Sequence, residues 1–98
     1  MKRTTTLAAA AVMGLALSAN AMADVKIGLL TTLTGPGSVL GQDQLDGFML
    51  AVEQGGGKLG GVPVQVIKED DQFKPEVGVQ AARKLVQSDK VPIITGVV

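Results

Sequence analysis

The sequence of 98 residues carries nine Lys and Arg against nine Asp and Glu, two Phe, and no Trp, Tyr, His or Cys. Balanced charge with no basic patch and almost no aromatic side chain excludes a nucleic-acid surface. The lack of Cys excludes a disulfide scaffold, and no nucleophile–base pair stands out, so neither an enzyme nor a cofactor or metal is expected.

Residues 1–23 read as a targeting segment outside the fold. Lys2 and Arg3 give a positive start, Leu7 to Leu17 is uncharged and apolar, and Ala21-Met22-Ala23 offers small residues to a signal peptidase. Cleavage is expected after Ala23. The apolar run is shorter than the roughly 20 residues that span a bilayer, and without Cys no lipid can be attached to the new amino terminus. Export without an anchor points to the periplasm. The segment 24–98 then holds seven Lys and Arg against nine acids, a net charge near −2. A domain of this size without staples or metal is marginal, so the segment is expected to be part of a larger, monomeric protein.

Within 24–98, Val25-Lys26-Ile27-Gly28-Leu29-Leu30 is a short apolar run suited to a strand buried on both faces. A loop, Thr31–Asp43, follows, longer than the roughly two to six residues usual between strand and helix. Leu45, Phe48, Met49 and Val52 then fall on one helical stripe, with Asp43 and Asp46 placed to cap its start. Five glycines between Gly55 and Gly61 end that helix and turn the chain. Pro63–Ile67 forms a second strand, ending in Lys68-Glu69-Asp70-Asp71, three acids that read as a solvated strand end rather than a metal site. Pro75 opens a second helix with Val77, Ala81 and Leu85 in line, where Gly78 marks close packing on the sheet. Ser88-Asp89-Lys90 breaks it, and Val91–Val98 is a third strand.

Strand, helix, strand, helix, strand is the pattern of an α/β fold, a parallel sheet with helices on both faces. Right-handed crossovers with one helix on each face give the strand order two, one, three. A ligand crevice is then expected at the carboxyl ends of strands one and three, between the Thr31–Gly41 loop and the residues at and after Gly96. The glycines of Gly35-Pro36-Gly37-Ser38-Val39-Leu40-Gly41 do not make a dinucleotide fingerprint. Four residues separate them from the strand, the last spacing is one residue too long, and Pro36 removes an N–H that a phosphate would use.

Val25-Lys26-Ile27-Gly28, Thr34-Gly35-Pro36, Gly41 and Gly47 follow one another as in type I periplasmic solute-binding proteins. Glu69-Asp70-Asp71 with Pro75, and Lys90, Val91, Ile94 and Gly96, continue the resemblance, which covers 24–98 and is nearest to the leucine/isoleucine/valine-binding branch serving ABC importers. It implies the first part of one lobe of a two-lobed fold whose lobes close on a small solute, an amino acid or organic acid, and then dock on a membrane permease. A ligand-sensing lobe of a receptor or regulator is the alternative, since it shares the fold. Leu40 matches a position that touches the ligand side chain and is often aromatic in amino-acid binders. Thr34, Ser38 and Gly41 lie beside it, the two hydroxyls serving either the solute or the turn's own backbone, and Leu40 serving either contact or packing.

Overall fold

The computed structural model describes residues 24–98, so the targeting segment and its cleavage after Ala23 lie outside the described residues. The chain forms β1 (Val25–Thr31), α1 (Ser38–Gln54), β2 (Lys58–Leu59), β3 (Val62–Asp70), α2 (Pro75–Arg83) and β4 (Ile93–Gly96). The sheet order is β2-β3-β1-β4. β1 lies parallel to both of its neighbours, with Thr31 opposite Asp70 on one side and Leu30 opposite Gly96 on the other. The sheet has the expected order and gains an extra strand: Lys58 and Leu59 pair antiparallel with Pro63 and Val62. The turn inferred from the glycines is thus a small hairpin.

Side chains alternate across β1 and give each helix its own face of the sheet. Gly28 and Leu30 face α2, where Leu30, Ala81, Leu85 and Val91 are buried together and Ile67, Ala82 and Ile94 pack against them. Leu85 is fully buried, and its methyl groups fill the space that a side chain on Gly28 would occupy. Ile27, Leu29 and Thr31 alternate onto the other face, toward α1, which buries Gly41, Leu45 and Val52. Phe48 on the predicted stripe is half-buried and Met49 is exposed.

Helix ends differ from the reading of the sequence in two places. α1 begins at Ser38, not near Asp43, because Gly37 takes a left-handed conformation (φ 90°) at the cap position and starts the helix early. Asp43 and Asp46 are therefore in the second and third turns, and Asp46 instead accepts from the Gln42 amide at 2.9 Å. At the other end, the Gly56 and Gly57 N–H groups donate to the carbonyls of Glu53 and Val52, the pair of hydrogen bonds that closes a helix on a left-handed residue, here Gly56. α2 continues into a wide turn over Lys84–Ser88, closed by the Asp89 N–H on the Lys84 carbonyl. Gly78 does not mark close packing, since a Cβ there would meet only Asp71 at an ordinary 3.6 Å.

Candidate functional site

The carboxyl ends of β1, β3 and β4 lie side by side, and the chain leaving β1 is fixed to the chain leaving β3. β3 runs to Asp70 rather than stopping at Ile67, because it stays paired with β1 as far as Thr31. Asp70 thus ends the strand, but it and Asp71 are bonded to the neighbouring loop rather than simply solvated. Asp70 Oδ1 accepts the Leu33 N–H at 2.8 Å and the Gln72 N–H at 2.9 Å, and Oδ2 accepts the Thr34 hydroxyl at 2.7 Å. Asp71 Oδ1 accepts the hydroxyl of fully buried Thr32 at 2.6 Å and the Phe73 N–H at 2.9 Å. Desolvation acts to raise the Asp70 pKa, but the bonds from Leu33, Thr34 and Gln72 outweigh it and hold the carboxyl below its ordinary range.

The helix side of the loop is fixed by close approach. Thr31 donates its hydroxyl to Gln44 of α1 at 2.6 Å. Gly41 lies so near the Thr32 backbone that an added Cβ would collide with the Thr32 carbonyl oxygen. On the other side Gln72 and Phe73 are both left-handed, with φ 55° and 57°, and the Phe73 ring lies beside Gly37 at the start of α1. The Val97 N–H closes the far edge by donating to the Leu30 carbonyl at 2.6 Å.

Two hollows flank this junction. The smaller, about 300 Å³, is lined by Leu33, Ser38, Val39, Gln42 and Asp43. The larger, about 510 Å³, lies on the α2 face between Phe73, Lys74, Pro75 and Val97. The residues singled out from the sequence divide accordingly. Ser38 lines the smaller hollow, Thr34 is exposed with its hydroxyl on Asp70, Leu40 stands 62% exposed on the first turn of α1, and Gly41 is a packing position. The sequence reading missed Asp70, Asp71 and Thr32 as organisers of the loop. Their signal was present: two adjacent acceptors at a strand end, and three threonine donors at the end of the neighbouring strand.

Residues 24–98 match a family described as "Periplasmic binding protein". The chain belongs to that family. Periplasmic binding proteins are a family of non-enzymatic binding proteins. An "Amino acid binding protein" from Pseudomonas aeruginosa is 35% identical over 92% of this chain and 24% of its own length. A "Leu/Ile/Val-binding protein BraC3" from Rhizobium johnstonii is 38% identical over 93% of this chain and 25% of its own. The chain therefore spans about a quarter of these relatives. Among solved structures, a solute-binding protein of an R. palustris ABC transporter in complex with benzoate matches with TM-score 0.72 and 36% identity, covering 78% of this chain and 21% of that one. A branched-chain amino acid transporter protein of Rhodopseudomonas palustris CGA009 matches with TM-score 0.70 and 32% identity, covering 76% and 21%.

Proposed function

We propose that residues 24–98 are the first part of one lobe of a two-lobed solute-binding protein, exported to the periplasm, that serves an ABC importer. It captures an amino acid or an aromatic acid and delivers it to a membrane permease. The observation that carries this reading is the loop after β1, fixed by Asp70 and Asp71 at the end of β3, with β1 standing between β3 and β4 where the crossovers change direction. Open α/β sheets take their ligands at such a switch point. Family membership and the amino-acid and benzoate relatives support the same assignment. In this reading Ser38 and Leu40 meet the solute, Thr34 supports the loop, and Gly41 brings α1 close enough to place them. The start of α1 also adds positive potential suited to a carboxylate.

The test is a thermal-shift screen of the full-length protein against branched-chain amino acids, benzoate and hydroxybenzoates. A solute at a hundredfold excess over its Kd should stabilise the protein by roughly 2.7 kcal/mol. Absence of a shift with every one of these acids would remove the small-carboxylate assignment.

A further inference from the structure

We propose that Asp70 and Asp71 are positioning residues for the solute mouth, two adjacent carboxylates that clamp the β1–α1 loop into one conformation before any solute arrives. The inference rests on the reading of that loop as part of the mouth. Five donors converge on the pair: the N–H groups of Leu33, Gln72 and Phe73 and the hydroxyls of Thr32 and Thr34. Three of them come from the loop itself and two from the turn that follows β3. The pair therefore ties two separate loops to each other as well as to the sheet.

Bonds to an ionised acceptor are roughly twice as strong as neutral ones. The loop lies at the surface, where a segment with only its own backbone to hold it would sample many conformations. Thr32 sits at the centre of the arrangement. Its hydroxyl is held by Asp71, while its backbone is the surface on which Gly41 rests. Order imposed by the carboxylates thus passes directly to the first turn of α1, where Ser38 and Leu40 stand.

Pre-ordering of this kind shows as affinity. A protein in which only a fraction of molecules holds the competent loop binds more weakly by that fraction. Releasing the clamp so that about one molecule in ten keeps the native loop weakens binding about tenfold.

The experiment uses full-length wild type, Asp70→Ala, Asp70→Asn and Thr34→Val. It reads residue-resolved amide exchange together with titration of L-leucine and of benzoate. The Ser38 N–H is the informative amide, because it donates to Gly35 and does not touch Asp70. Asp70→Ala is expected to speed Ser38 exchange at least tenfold, to leave amides of α2 unchanged, and to weaken whichever probe binds about tenfold. Asp70→Asn should recover most of both effects, since its amide oxygen still accepts the two N–H groups, and Thr34→Val should fall between. If Asp70→Ala does not fold, the Asn and Val variants carry the same comparison. Ser38 exchange equal to wild type, or faster exchange with unchanged affinity, overturns the clamp. Binding of neither probe by wild type counts against the proposed solutes, and the exchange result then decides the clamp alone.

Discussion

Gly41 has no room for a methyl group, and Gly78 has. At Gly41 the obstacle is the Thr32 backbone, which is itself held by a buried hydroxyl and cannot yield as a flexible side chain would. Gly41→Ala in the full-length protein is expected to cost at least roughly 1–3 kcal/mol in a urea titration, as overpacking does. Gly78→Ala, at an ordinary 3.6 Å from Asp71 within α2, should instead stabilise by roughly 0.5–1 kcal/mol through helix propensity. Asp70 gives a pH dependence of definite sign. Its folded pKa lies below the ordinary 3.8, so the stability it contributes is complete above that value and is lost as pH falls through the lowered folded value. Urea titrations of wild type and Asp70→Asn from pH 6 to pH 2 should therefore differ at the upper end and converge at the lower. Leu40→Trp should leave melting temperature nearly unchanged, because the side chain is largely exposed, while altering which solute binds. A large fall in melting temperature with unchanged affinity would place Leu40 in the core and the mouth elsewhere.

At the scale of elements, the wide turn that continues α2 is seated on the sheet by one fully buried side chain. Leu85 is completely buried against Gly28 and Val91, and Leu85→Ala is expected to cost roughly 2–5 kcal/mol of unfolding free energy in a urea titration, depending on how far the site collapses. Beyond it, Lys84 bonds both Glu69 and Asp89, anchoring the wide turn to β3 from an exposed position. Strands and helices were legible in the sequence because burial on two faces leaves continuous apolar runs and burial on one leaves a helical stripe. Their ends were less so. Nothing in the residue pattern said that Gly37 rather than Asp43 would begin α1, since the early start depends on a glycine conformation. Two-residue β2 was invisible for a related reason: a pairing so short has no period to detect.

For the whole molecule, sheet order followed from the two crossovers and their handedness, which is why β1 was correctly expected between β3 and β4. The candidate site was legible only in part. Hydroxyls and glycines of the loop were noticed, but the acids that order them lie almost forty positions further on. Only the pairing of β1 with β3 brings the two groups together. Several apolar side chains of the described residues remain open, with Val79, Val86, Ile93 and Val97 each more than half exposed. A polypeptide of residues 24–98 alone is accordingly expected to lack a cooperative transition. Circular dichroism during urea titration checks this, and a sharp transition at several molar urea would show that these faces need no cover.

The clamp has one more consequence, which concerns strand alignment. Asp70 stands opposite Thr31 across the β1–β3 pair, so its carboxylate reaches Leu33 and Thr34 only when that alignment is right. A slip of one residue would turn the carboxylate to the opposite face of the sheet. A slip of two would restore the face but carry it about 6–7 Å along the strand, far beyond hydrogen-bond reach. The loop therefore acts as a gauge of register: a chain that has paired its first two long strands wrongly cannot complete it.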